Sequence, residues 1–203
     1  MHSNNNLSED KVDTNPFVQF DKWYKEHLSS DAVVPNTVSL GTASSRGDVS
    51  VRTVLLKGYD ESGFVFFTNY NSKKSSQLLS NRKAALLFYW PDSGRQIRIE
   101  GSADKVPDEE SEQYFKTRPR ESQLSAWASE QSSAIPDRTY LEKRYDLFEN
   151  KFNGRIIKRP LYWGGFRLIP DWFEFWQERD FRLHDRLSYI KRKEIWVTKR
   201  LAP

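Results

Sequence analysis

Between Thr37 and Val106 the chain passes through short segments rich in β-branched and aromatic residues, each closed by a turn of Gly, Asp, Ser or Pro. TVSLGTA (37–43) is followed by SSRGD around Gly47 and then VSVRTVLLKGY (49–59). DESG (60–63) leads back into FVFFTN (64–69), and KAALLFYW (83–90), PDSG and RQIRIEGSADKV (95–106) repeat the pattern. This repeated hairpin logic favours an antiparallel barrel or sandwich.

Helices interrupt the strands. Residues 1–14 read as a disordered leader, and 15–203 as a single domain. From Asn15, PFVQFDKWYKEHL places Phe17, Phe20, Trp23, Tyr24 and Leu28 at helical spacing, with Pro16 acceptable in the first turn. Ser72 can cap a short helix with Leu78 and Leu79 inward. Pro107 or Asp108 opens DEESEQYFKTR, a further segment spans ESQLSAWASEQ, and Asp137 opens RTYLEKRYDLFENKF. The tail returns to strands at LYWGGFRLI, WFEFWQ, FRLHDRLSYI and EIWVTKRL. The fold class expected is α+β, mainly β, with helices inserted late.

Composition narrows the function. Aromatic residues are 14% of the 203 residues, which argues against a disordered chain. The formal charge of +4 (32 Lys+Arg against 28 Asp+Glu) is mild and suits a phosphorylated small molecule as well as nucleic acid. No basic run of five or more occurs, so no nucleic-acid partner is expected. There is no cysteine, which excludes disulfides, thiolate metal sites and a Cys nucleophile. His2, His27 and His184 are too scattered for a His-based metal site, so no metal is expected. No apolar stretch approaches the ~18 residues of a membrane span, and a soluble cytoplasmic protein is the simplest reading.

Cationic side chains recur at positions where they can meet an anion. Lys73 and Lys74 open a helix, whose N-terminus carries unpaired N–H groups, although lysines are common there without any ligand. In VRTVLLK, strand alternation puts Arg52, Val54 and Leu56 on one face and Thr53, Leu55 and Lys57 on the other; Arg52 then needs either a ligand or a salt bridge. Gln96 can read a heterocycle edge or simply bond across strands. Tyr114 and Arg118 share a helix face, Pro119 ends that helix and Ser122 lies just beyond, so the group suits a phosphate ester or is a packing pair. If FRLHDRLSY is a strand, Arg182, His184 and Arg186 alternate onto one face and Asp185 takes the other, as an anion-binding face or a surface ion pair. No Ser–His–Asp order, paired carboxylates or GxGxxG appears, so the chemistry would come from a cofactor.

RTVLLK, FTN…SKK, RQIRIEG, YFKTRPRES, AWASEQSS, YWGGFRL, EFWQ, RLHDR and the terminal RLAP, in this order from about Asn15 to Pro203, resemble the pyridoxamine 5′-phosphate oxidase family. The resemblance implies an FMN-binding split β-barrel homodimer with FMN sites at the interface. It implies oxidation of pyridoxamine or pyridoxine 5′-phosphate to pyridoxal 5′-phosphate, with O₂ as acceptor and H₂O₂ as product. FMN contacts would fall on Arg52, Thr53, Val54, Leu55, Leu56, Lys57, Phe67, Thr68, Lys73, Lys74 and Gln96, with Gln131 and Ser132 from the partner chain and Trp176 and Arg186 completing the pocket. The substrate phosphate would meet Lys57, Tyr114, Arg118 and Ser122, and the catalytic pair Arg182 and His184 would stand over the substrate ring. Three positions depart from the family pattern. Lys73 stands where an arginine is common, Glu178 where a glycine usually follows Trp-Gln, and Val34 where an acid often precedes Pro-Asn. Alternative readings are a phenazine-type oxidase of the same fold and a non-catalytic carrier of FMN or pyridoxal phosphate.

Overall fold

The computed structural model describes residues 6–29 and 34–203. Helix α1 (Pro16–Leu28) starts where the Asn15 side chain accepts from the Phe17 N–H, and it buries Phe17, Phe20, Trp23 and Tyr24. The strands are β1 (Thr37–Ala43), β2 (Val49–Leu55), β3 (Gly58–Asp60), β4 (Gly63–Asn69), β5 (Lys83–Trp90), β6 (Arg95–Lys105), β7 (Trp163–Gln177), β8 (Asp185–Arg192) and β9 (Ile195–Arg200). They form one antiparallel sheet in the order β2-β1-β5-β6-β7-β4-β3, and β8 and β9 continue from β7.

The long strand β7 sets the curvature. Its first part pairs with β4, from Trp163 to Leu168, and its last part pairs with β8, from Trp172 to Gln177, while β6 runs along its other side. One strand thus belongs to two rows of neighbours, and the sheet curls between them. The bend falls at a bulge where Gly101 meets Pro170 and Glu100 meets Trp172. Pro170 has no N–H to give the ladder, and a Cβ on Gly101 would lie 2.1 Å from the Ile169 carbonyl oxygen, so each residue type suits the bulge.

Inside the curl, α1 packs its rings on Phe64, Phe88, Phe173 and Phe175, with Tyr189 beneath them, all at most 1% exposed. The other helices are α2 (Lys73–Ser80), whose Leu78 reaches the same core, α3 (Asp108–Thr117), α4 (Arg120–Ala128) and α5 (Arg138–Lys151). A smaller core of Phe115, Leu124, Ile157 and Trp163 joins α3 and α4 to the start of β7. No helix among the described residues is long and apolar enough to cross a membrane.

Several expectations change. Residues 6–14 are not a disordered leader: Leu7 is 5% exposed, the buried Tyr189 hydroxyl donates to the Asp13 carbonyl at 2.7 Å, and Arg200 bonds the Leu7 carbonyl and Glu9. Residues 1–5 lie outside the described residues. VSVRTVLLKGY is two strands, because Leu56 leaves the ladder to bond the Asn36 carbonyl. Leu78 is inward but Leu79 is 57% exposed, since a two-turn helix against a sheet buries one stripe only. LYWGGFRLI and WFEFWQ are one strand, which Pro170 bends without breaking.

Candidate active site

A cavity of about 750 Å³ opens where the ends of β2 and β4, the start of α2 and the α3–α4 junction meet. Pro119 creates that junction. It holds Arg118 in an extended conformation, ending α3, and α4 restarts directly behind it with Ser122 in its first turn. Tyr114, Arg118 and Ser122 therefore line the same wall, joined by Lys57. Phe67 stacks on Tyr114 at 4.0 Å, and the Arg118 guanidinium lies 4.5 Å above the Trp163 ring. Burial lowers the Arg118 pKa, and its Nη1 is buried without a hydrogen-bond partner among the described residues. A buried guanidinium nitrogen left without a bond is costly in an empty protein and suited to an incoming anion.

The opposite wall carries a second cationic group. Lys74 Nζ donates to Gln131 Oε1 (2.8 Å), Thr68 Oγ1 (3.0 Å) and Ser72 Oγ (3.2 Å). Burial, and then the nearby Arg52 charge, lower its pKa to about 8. Arg52 donates to Thr42 Oγ1 and the Leu40 carbonyl, and burial lowers its pKa as well. Both cations are solvated by neutral oxygens and neither is hydrogen-bonded to a carboxylate among the described residues, so a net positive charge faces the cavity.

Of the residues singled out in the sequence, Thr53, Val54, Leu55, Lys57, Phe67, Thr68, Lys74, Tyr114, Arg118, Ser122 and Gln131 come together around this cavity. Arg52 stands directly behind it, and Leu56 turns into the core. Lys73 and Ser132 are exposed nearby, Ser132 with a positive φ of 74°. Gln131 was expected from a partner chain. It is bonded to Thr68 and Lys74 of its own chain, because the segment after α4 folds back over β4.

Gln96, Trp176, Arg182, His184 and Arg186 form a separate group at the far end of β7. Gln96 and Arg186 flank Trp176 in register, and the His184 ring lies 4.6 Å from that of Trp176. Arg186 grips the 1%-exposed Glu174 with two bonds, Nε to Oε1 at 2.7 Å and Nη2 to Oε2 at 3.0 Å, and Nη1 donates to the Ala202 carbonyl. The expected alternation of Arg182, His184 and Arg186 along a strand does not occur. The strand starts at Asp185, and Phe181 (φ 56°) and Arg182 (φ 61°) form a left-handed turn before it. Such backbone costs about 1–2 kcal/mol per residue and is held only where surrounding bonds enforce it.

Sequence reasoning missed Trp163, Glu174 and Arg179, whereas Asp185 makes the ion pairs that one reading of the sequence gave it, with Arg179 and Arg200. Glu174 carried a legible signal, a single acid inside the aromatic run WFEFWQ, where an unpaired charge could not be buried. Trp163 and Arg179 carried none, since their roles depend on contacts across the fold.

The curled sheet, with α1 packed inside it, is a split β-barrel. Its likeness to a solved FMN-binding protein from Nostoc punctiforme, related to pyridoxamine 5′-phosphate oxidase, bears out that fold at a TM-score of 0.72 and 17% identity over 93% of this chain and 98% of that one. Residues 30–151 match the family model for pyridoxamine 5′-phosphate oxidase, and 163–203 match that for the pyridoxine 5′-phosphate oxidase C-terminal dimerisation region. The pyridoxine/pyridoxamine 5′-phosphate oxidases of Rubrobacter xylanophilus and Burkholderia thailandensis are 49% and 50% identical to it, over 97% and 100% of this chain and 91% and 95% of theirs. PhzG from Burkholderia lata, solved with tetrahydrophenazine-1-carboxylic acid, is similar at a TM-score of 0.92 and 28% identity, with full coverage of both chains. The chain belongs to the pyridoxamine 5′-phosphate oxidase family and is an oxidoreductase.

Proposed function

We propose that the protein is an FMN-dependent oxidase of pyridoxamine or pyridoxine 5′-phosphate, acting as a homodimer. The observation that carries the substrate reading is the partnerless Nη1 of Arg118 beside Tyr114, Lys57 and Ser122, a set that can surround a phosphate ester with charge and hydroxyl donors. The Lys74–Arg52 pair, which has no carboxylate partner among the described residues, suits the phosphate of FMN, and Thr53 to Leu55 line the same cavity. The chemistry FMN supplies when bound is acceptance of two electrons from the substrate and their delivery to O₂. With the amine, O₂ and water are consumed and pyridoxal 5′-phosphate, ammonia and H₂O₂ released; with the alcohol, water and ammonia drop out of the balance.

In this reading Lys57, Tyr114, Arg118 and Ser122 anchor the phosphate, so the reacting carbon is presented at a fixed distance from the flavin. Trp176, Arg186, Arg182 and His184 come from the second protomer, because β7 separates them from the cavity of their own chain. The match of residues 163–203 to a dimerisation region supports that arrangement.

The test is an aerobic assay of the purified, FMN-loaded protein with pyridoxamine 5′-phosphate, following pyridoxal 5′-phosphate and peroxide together. Equal formation of both is expected. A flavin-loaded protein forming neither would overturn the reading. The likeness to PhzG favours a second reading, oxidation of another reduced heteroaromatic ring, for which turnover of an unphosphorylated ring and not of the phosphate ester would be the signature.

A further inference from the structure

The turn that carries Arg182 and His184 is closed by a bracket of charges. Arg179 Nε donates to Asp185 Oδ2 at 2.7 Å, tying the residue before the turn to the residue after it. The other oxygen of Asp185 accepts from Arg200 Nη1 at 3.0 Å, which fixes the carboxylate to β9. Within the bracket, the Leu183 N–H donates to the Asp180 carbonyl, and the Arg179 backbone N–H donates to Nδ1 of His184 at 3.1 Å.

The last bond decides where the imidazole proton sits. An N–H donor can only meet an unprotonated ring nitrogen, so Nδ1 is the acceptor and neutral His184 carries its proton on Nε2. We infer that Arg179 and Asp185 are positioning residues that lock His184 in the Nε2–H tautomer and make it a hydrogen-bond donor toward the substrate. The bracket also accounts for the consecutive left-handed residues Phe181 and Arg182, which a free loop would relax. Resting on the oxidase reading above, the consequence is that His184 meets an acceptor atom of the bound ring and does not take a proton from the substrate while the Arg179 bond stands.

The test is two-bond ¹⁵N–¹H correlation of the full-length protein labelled in histidine, with His184→Gln identifying the signal; only His2 and His27 share the spectrum. A single Nε2–H tautomer for His184 at a pH where it is neutral is expected. An Nδ1–H tautomer, or a mixed one, would overturn the inference whether or not the protein oxidises a B6 vitamer, because the readout needs no substrate. Arg179→Ala keeps the backbone donor but removes the ion pair. It should give a mixed tautomer and a roughly tenfold fall in kcat/KM with FMN affinity retained. An unchanged tautomer in a folded Arg179→Ala protein would remove Asp185 from the role. If that variant does not fold, the parent spectrum still decides the tautomer, and Asp185→Asn repeats the test of the bracket from its other side.

Discussion

Trp163 and Trp176 stand at opposite ends of the same strand, β7, the first lying under the Arg118 guanidinium and the second between Gln96 and Arg186. Roughly 40 Å of extended chain lies between them. The wall around Arg118 and the Arg182–His184 turn of one protomer are therefore far apart along β7, and the proposed site takes its two halves from different copies.

Mixing variants tests this division. Arg118→Ala and Arg182→Ala should each be strongly impaired alone when the substrate is held well below its KM. After co-refolding, random pairing across a two-fold axis should restore about a quarter of the parental sites, since half the dimers are mixed and each has one intact site. No recovery would mean that both residues act within one protomer.

Arg118→Met removes a buried cation that lacks a full set of partners. The ligand-free protein should be at least as stable as the parent in a denaturant titration. KM for pyridoxamine 5′-phosphate should rise roughly thirtyfold, about 2 kcal/mol for a charge-assisted bond, with FMN affinity unchanged.

Lys74 gives the proposed flavin site a pH dependence of definite sign. Its pKa of about 8 in the folded protein lies below the unfolded value, so the ligand-free protein gains stability as pH rises above about 8. Phosphate binding favours the charged amine, so FMN affinity should be full below pH 8 and fall above it; the phosphate itself is already dianionic there. Fluorescence titrations from pH 7 to about 9.5 should show this in the parent and not in Lys74→Met.

Glu174→Gln leaves Arg186 and Arg98 without the buried carboxylate both of them hold. Breaking such a pair costs about 3 kcal/mol of stability. FMN retention should weaken as well, because Arg186 loses the fork that orients it. Lost stability with undiminished retention would separate Arg186 from the cofactor.

Taken alone, the sequence determined what short-range physics controls. The Asn15 cap and the spacing of Phe17, Phe20, Trp23 and Tyr24 set α1, and strand alternation between turns set β1, β5 and β6. Tyr114, Arg118, Pro119 and Ser122 are close enough in the chain for a helix and its break to bring three of them to one wall. Resemblance to the family supplied the rest of the residue list, but not its distribution in space.

Only the tertiary structure decided that Gln131 belongs to the same chain as Lys74, that residues 6–14 are pinned by Tyr189 and Arg200, and that Arg182 and His184 sit in a strained turn and not on a strand. The physical reason is common to all three. A charged or hydrogen-bonding group is satisfied by whichever partner the fold brings within about 3 Å, and for Arg200, Tyr189 and Lys74 that partner lies dozens of residues away in the chain.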